Sequence, residues 1–343
     1  MRPPLSVISA LQAGRAVAAL AVVAHHAGQF SSDFVGAVPP GLGVVLERGY
    51  LGVDFFFVLS GFIIYHSNMG RDRTLAWSWR YLESRLIRIF VPYLPVGIAL
   101  AAAYTMLPGL SASDRQWDWL SSLTLLPTHA EPALIVAWTL QHELVFYGLF
   151  LLFALSGRPI VAAALWVALI VATHSFMGEP AKPWFILIGL INVEFFFGMV
   201  AARVIATGGP PSWAFLTGTG IAGATYFALG AVPENRVLFG FAIALLLVPI
   251  VRMERAGRFT TPTSLVFLGD ASYAVYLVHN PLMALLARVP PPHWALAMIW
   301  FAVAGTVAGL AYHLIWERGA IAFLRRHAAA WRRRATGEME GAT

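Results

Sequence analysis

The chain has 343 residues, 59% of them hydrophobic and only 12% charged, with a mean hydropathy of +0.71. A soluble domain carries roughly 25% charged residues, so a soluble fold, a disordered chain and a basic nucleic-acid-binding protein are all disfavoured. The formal charge of +6 sits in short Lys and Arg clusters between apolar runs, as in loops that flank membrane helices. There is no Cys, which removes disulfides, thiolate nucleophiles and Cys-ligated metal centres.

A helix that crosses a bilayer needs about 20 mostly apolar residues. Ten such stretches follow one another, near 7–27, 49–66, 86–107, 134–155, 159–176, 184–205, 212–230, 236–251, 264–288 and 294–317. They predict an all-α, polytopic membrane protein of about ten transmembrane helices. Linkers rich in helix breakers separate them, such as Pro39-Pro40-Gly41, Gly208-Gly209-Pro210-Pro211 and Pro290-Pro291-Pro292. Arg15 interrupts the first apolar run and no small-residue cleavage site follows, so this stretch is expected to stay as a helix rather than leave as a signal peptide.

Orientation follows from the cations. With a cytoplasmic N-terminus, the inner loops hold Arg71, Arg73, Arg80, Arg85, Arg88, Arg158, Arg203, Arg252, Arg255 and Arg258, together with Arg2 and a tail from Arg318 to Arg334. The outer side keeps only Arg48, Arg115, Lys182, Arg236 and Arg288. Excess Lys and Arg mark the cytoplasmic side, so both termini are expected inside. The division is a ten-helix membrane domain over 1–319 and a basic cytoplasmic tail over 320–343 lying against anionic lipid. The longest outer loop, about 108–133, holds Asp114, Trp117, Asp118, Trp119 and Glu131. It reads as an interfacial aromatic belt or as a surface on which sugars stack.

Ionisable side chains inside a membrane are costly, and each is a functional candidate. The apolar stretches hold Arg15, His25, His26, Asp54, His142, Glu143, His174, Glu194, His279 and His313. Arg15 and His26 lie eleven residues apart, close to three helical turns, so they share a face about 16 Å apart along the axis. His25 points roughly 100° away. Small residues between them, Ala18 and Ala19, let a helix or a slender ligand lie close. The topology puts His26, Asp54, Glu143 and His279 near one depth. A carboxylate beside His26 would fix its tautomer and stabilise its imidazolium; each carboxylate pairs equally well with Arg15. In the third stretch, Arg85 and Arg88 are three residues apart and share a face. Two guanidinium groups there suit bidentate phosphate binding, or anionic-lipid anchoring. Gly49, Gly52 and Gly61 read as helix-packing positions. No P-loop, dinucleotide-binding glycine pattern or HExxH motif appears, and no clustered ligand spacing points to a metal.

Several strings then carry a resemblance. Leu11-Gln12-Ala13-Gly14-Arg15 through His26 gives Arg-x10-His. Gly49-Tyr50-Leu51-Gly52-Val53-Asp54-Phe55-Phe56-Phe57-Val58-Leu59-Ser60-Gly61-Phe62 is a highly specific run. Arg85-x-x-Arg88 is followed by Pro92-Tyr93, and Trp138-Thr139-Leu140 by Glu143, Phe146 and Tyr147. Leu268-Gly269-Asp270-Ala271-Ser272-Tyr273 leads to Tyr276, Leu277 and His279, with Glu194-Phe195, Gly198-Met199 and Trp316-Glu317 at later positions. In order and over nearly the whole chain, these motifs resemble the acyltransferase-3 family of integral-membrane O-acyltransferases, most closely its exopolysaccharide acetyltransferases. Gln12-Ala13 departs from the family's frequent Asp-Gly. The residues after 319 are too few for the periplasmic domain that some members add, so an O-antigen acceptor is not expected.

The resemblance implies transfer of an acyl group, acetyl first, from acyl-CoA to a hydroxyl of a glycan such as an exopolysaccharide or its lipid-linked precursor, in a bacterial inner membrane. Its catalytic set is His26, Glu143, Asp54 and Arg15. His26 acts as base or acyl carrier, Asp54 or Glu143 orients it, and Arg15 holds the donor or the developing oxyanion. Arg15, Arg85 and Arg88 hold acetyl-CoA; Trp138, Tyr147 and His279 are assigned to the acceptor. No metal and no nucleic acid enter. The alternative is a transporter or flippase for a lipid-linked sugar or proton-coupled solute, which also uses buried Arg, Glu and His.

Overall fold

A computed structural model describes residues 8–110, 115–208, 213–227 and 233–335. Arg2, Asp114, the 209–211 part of the Gly-Pro linker and tail residues 336–343 lie outside the described residues. Among the described residues the fold is helical, with no strand. The helices are α1 (Ser9–Phe34), α2 (Pro40–Glu47), α3 (Gly52–Asn68), α4 (Leu75–Met106), α5 (Trp119–Thr124), α6 (Trp138–Leu155) and α7 (Pro159–Met177). They continue as α8 (Trp184–Ile188), α9 (Val193–Thr207), α10 (Trp213–Phe227), α11 (Pro233–Arg255), α12 (Thr263–Leu286), α13 (Trp294–Tyr312) and α14 (Arg318–Ala335).

Each of the ten apolar stretches holds helix, and six helical segments are long and apolar enough to cross a membrane. These are Leu75–Met106, Ile135–Leu155, Pro159–Met177, Trp184–Thr207, Glu234–Arg255 and Trp294–Ala328. The other stretches fall short for physical reasons. α1 carries Gln12, Arg15, His25 and His26, and α12 carries Asp270, His279 and Asn280. α3 has 17 residues and the described part of α10 has 15.

The surface and the interior are inverted relative to a water-soluble fold. Leu165, Leu169, Phe176, Leu216, Val303 and Val307 face outward. Arg15, Asp54, Gln141, His142, Asn192, Glu194, Ser272 and His279 are buried. An apolar coat around polar side chains is stable only in hydrocarbon, so this is an integral membrane protein.

Glycines set how closely the central helices approach. A Cβ at Gly52 would overlap the Ala18 carbonyl, and one at Gly49 the Ala21 carbonyl, so α3 is pressed onto α1. A Cβ at Gly61 would overlap the Phe195 carbonyl, and one at Gly198 the Val58 carbonyl, which locks α3 to α9. Gly269 meets Gln12 in the same way, and His26 meets His279 further along. α12 therefore runs parallel to α1, while α3 runs antiparallel to it. The small residues of α1 are filled by these neighbouring helices.

α4 contains Pro92 and Pro95. Pro95 has no N–H, so the Val91 carbonyl loses its helical donor. The Trp316 indole N–H donates to it at 3.0 Å, and the Tyr312 hydroxyl donates to the Pro92 carbonyl at 2.6 Å. Trp316 lies in a π-helical turn, His313–Glu317, that follows α13. The break in α4 is thus sealed by side chains from the other end of the chain, just beyond Arg88.

The connection from α4 to α6 is fixed by polar contacts. Asp118 caps α5, accepting from the Ser121 amide at 2.5 Å and the Thr128 hydroxyl at 3.0 Å. Glu131 pairs with Arg115 at 3.0 Å and Lys182 at 2.7 Å. Partial burial works against the Glu131 carboxylate, but the bonds from Lys182 and Arg115 outweigh it and hold its pKa below the ordinary value. A depressed carboxylate stabilises the fold above its unfolded pKa and loses that contribution as pH falls through its folded pKa. Protection from hydrogen exchange in residues 115–137, relative to the intrinsic rate at each pH, should therefore fall as pH drops below about 4, and Glu131→Gln should show lower protection already at pH 7 with no further acid step. In the bundle, Gly61→Val should lower stability by about 1–3 kcal/mol, read by thermal unfolding in detergent. Gly148→Ala, on an open face of α6, should raise it by up to about 1 kcal/mol.

Candidate functional site

His26 projects from α1 and His279 from α12, and the glycine contact at Gly269 brings the two helices together. His26 Nδ1 lies 3.0 Å from His279 Nε2, and His279 Nδ1 lies 2.9 Å from the Val275 carbonyl oxygen. A carbonyl only accepts, so His279 carries its proton on Nδ1. In its neutral form His279 then accepts at Nε2, and His26 must donate from Nδ1. His26 Nε2 is left with its lone pair and has no hydrogen-bond partner among the described residues. His279 is fully buried and His26 half-buried. This relay sets the tautomer of His26 by a second histidine rather than by a carboxylate. His25 is turned away, with Nδ1 on the Leu46 carbonyl at 3.0 Å.

Next to the pair lies a largely apolar cavity with a few charged groups, between α1, α3, α4, α6 and α12. Its walls include Arg15, Ser60, Arg88, Glu143, Ser272 and Tyr276. Glu143 Oε1 accepts from the Ser60 hydroxyl at 3.0 Å and from the Tyr147 hydroxyl. Oε2 has no hydrogen-bond partner among the described residues. Arg15 donates to Gln12 Oε1 at 3.2 Å and forms no ion pair among the described residues. Two cations therefore face one carboxylate with donors to spare. Tyr276 closes the far end, its ring centre 5.8 Å from that of His279. A second hollow, lined by Ile8, Leu11, Gln12, Phe62 and His66, shares Arg15 and Ile63 with the first. The two hollows thus lie side by side at Arg15 and extend from the start of α1 to Tyr276. They lie between helices, not over the small residues of α1.

The remaining candidates separate. Asp54 is fully buried and grips Arg236 of α11 with two bonds, 3.0 Å from Nε and 3.1 Å from Nη2. Arg236 also stacks over Tyr50 at 5.4 Å. Neither Asp54 nor Glu143 hydrogen-bonds His26 among the described residues. The expected meeting of four groups at one depth resolves into three places: a histidine pair, an Asp–Arg pair and a carboxylate in the cavity. Arg85 is stacked against Tyr81 and Tyr147, at 5.7 and 5.6 Å, whereas Arg88 reaches the cavity. Tyr147 is bound to Glu143, and Trp138 packs edge-on against Phe57 and His142. Trp138, Tyr147 and His279 therefore occupy three separate positions. Arg236 is the residue that sequence reasoning missed; a buried Asp54 demands a cation, and Arg236 is the charged residue at the start of its apolar stretch.

A model described as an acyltransferase domain matches residues 8–314. The chain belongs to this acyltransferase-3 family and is a membrane acyltransferase. Over 310 residues it is 28% identical to the exopolysaccharide production protein ExoZ of Rhizobium meliloti (strain 1021), covering 85% of this chain and 94% of that protein. Over 316 residues it is 29% identical to the acyltransferase MdmB of Streptomyces mycarofaciens, covering 81% and 80%. No solved structure matches the chain.

Removing one member of a buried ion pair strands the other charge, at about 3–5 kcal/mol. Arg236→Met should therefore be strongly destabilised in thermal unfolding. Asp54→Asn combined with Arg236→Met should recover part of the loss, because the charge stranded at Asp54 is then removed while the buried Glu194 stays beside it.

Proposed function

We propose that this acyltransferase moves an acyl group, acetyl in the first instance, from acyl-CoA to a hydroxyl of a glycan, such as an exopolysaccharide or its lipid-linked precursor. The observation that supports this most directly is the relay from the Val275 carbonyl through His279 to His26, which leaves Nε2 of His26 ready to accept a proton. The similarity to ExoZ, named for exopolysaccharide production, points to a glycan acceptor. The arginines that line the two small hollows at Arg15 are of the type that holds a donor's phosphates.

In this reading, His26 Nε2 takes the proton of the acceptor hydroxyl as its oxygen attacks the thioester carbonyl. The tetrahedral oxyanion is stabilised by a cation, Arg15 being the candidate. The carbon–sulfur bond then breaks, and the proton held on His26 passes to the departing CoA thiolate. His279 carries part of the imidazolium charge through its bond to His26. Asp54 acts through Arg236, holding α3 to α11, and Glu143 balances Arg15 and Arg88 in the cavity. Trp138, Tyr147 and Arg85 flank these groups.

The helices form a ten-span bundle in the bacterial inner membrane with both termini in the cytoplasm, as the distribution of Lys and Arg favours. The segment after 319 forms a basic cytoplasmic tail. Acyl-CoA enters from the cytoplasm, and the acceptor meets the histidine pair from the opposite side.

Purified protein, labelled acetyl-CoA and a glycan acceptor should give base-labile labelled ester. His26→Ala should lower the rate roughly 100- to 10,000-fold with normal folding. His279→Ala should lower kcat about 100-fold or more while leaving the KM for acyl-CoA near its original value, as expected for a group that orients the base. Full transfer by His26→Ala would overturn the assignment. Release of free CoA in the absence of acceptor would show that His26 carries the acyl group itself.

A further inference from the structure

A cleft of about 720 Å³ opens where α3, α6, α7 and α9 end or begin, and it shares no residue with the cavity at Arg15. Trp77, Tyr81, Tyr147 and Phe150 stand between Asn68 in this cleft and Arg85. Three arginines converge on it from separate segments: Arg73 ahead of α4, Arg158 at the N-cap of α7 and Arg203 in α9. None of the three guanidinium groups has a hydrogen bond or ion pair among the described residues, and no acidic residue lines the cleft.

Two arginines elsewhere among the described residues do have a carboxylate partner. Arg236 is paired with Asp54, and Arg115 with Glu131. The three side chains are exposed, so water screens part of their mutual repulsion, and an anion seated between them would remove the rest. The cleft also lies at the N-terminus of α7, a helix of 19 residues, where Ile160 and Val161 of the first turn form part of the wall. Amide groups there lack helical acceptors and add a positive dipole end. Tyr65, Phe150, Ile160 and Ala206 give the remainder of the wall an apolar character.

We propose that this cleft binds a phosphate ester, held by Arg73, Arg158 and Arg203 over the first turn of α7, with an apolar or ring portion of the ligand against Ile160 and Ala206. Guanidinium groups match phosphate oxygens in pairs, and three of them enclose a single tetrahedral anion. Two sources bring that group to the face on which the basic loops gather: the headgroup of an anionic phospholipid and the nucleotide end of a CoA donor. The site is independent of the acyl-transfer reading, because it is tested by binding alone.

The test uses the full chain in neutral detergent and three probes: short-chain phosphatidylglycerol, the matching phosphate-free diacylglycerol, and adenosine 3′,5′-bisphosphate. At least one phosphate probe should bind, and the diacylglycerol should not. Arg73→Gln, Arg158→Gln and Arg203→Gln should each weaken binding about fivefold, from roughly 1 kcal/mol per cation. The triple variant should lose binding, while the three Arg→Lys variants keep most of it. Binding of phosphatidylglycerol alone identifies a lipid headgroup, binding of the bisphosphate alone identifies the donor nucleotide, and binding of both identifies a site for phosphate as such. The proposal falls if neither phosphate probe binds. It falls equally if Arg80→Gln, on the exposed surface of α4 outside the cleft, weakens binding as much as the cleft variants do, because general surface charge would then explain the effect.

Discussion

Hydrocarbon forms no hydrogen bonds, so each polar side chain inside this bundle must find its partner within the protein or across a water-lined space. That constraint organises the interior. Asp54 is held by Arg236, His142 by Asn192 at 2.9 Å, and His313 by Glu317 at 2.7 Å. The exceptions are informative. Arg15 and Arg88 face a cavity instead of a fixed counter-ion, and Nε2 of His26 has no hydrogen-bond partner among the described residues. Where partners are incomplete, as at Arg15 and Arg88 and again at the buried carboxylate of Glu194, the fold leaves polar groups available.

The histidine relay depends on backbone as much as on side chains. The Val275 carbonyl is the fixed end, and everything beyond it follows from the rule that a carbonyl accepts and does not donate. Gly305 and Gly309 bring α13 against His279 and Val275, so this part of α12 is clamped from two sides by α1 and α13. A base oriented in this way needs no nearby carboxylate, and Asp54 and Glu143 are released for other tasks. Asp54 ties α3 to α11; Glu143 places a negative charge between two arginines.

The helical membrane architecture was legible in the sequence because it rests on run length and composition, which need no neighbours to read. The glycine contacts were legible at Gly49, Gly52 and Gly61 for a similar reason: a glycine inside an apolar helix has little to do except let another helix approach. Pairing across the bundle was not. Arg15 and His26 share a helix, so their spacing could be computed, but His279 lies 253 residues from His26, and Arg236 lies 182 from Asp54. Depth arguments narrow such partners to a layer and stop there. They put four groups together, and helix rotation then divided them. The α1 face read as a track for a ligand was filled by α3 and α12, because the same small side chains suit both and the helices were the nearer occupants.

The helices that bear Arg15, His26, Asp54 and His279 are among those that fall short of the membrane-crossing criteria in length or apolarity. Taken one at a time, α1 and α12 have weak grounds for remaining in lipid, and their strongly apolar neighbours such as α7 and α9 have ample grounds. Biogenesis inherits an order from this. α1 emerges first from the ribosome with two imidazoles and a guanidinium, and its mate α12 is not made until most of the chain has left. Until then α1 needs shelter at the insertion machinery or beneath the earlier helices. The histidine relay is consequently a late event in assembly, and a truncated chain ending before α12 carries an imidazole that nothing orients.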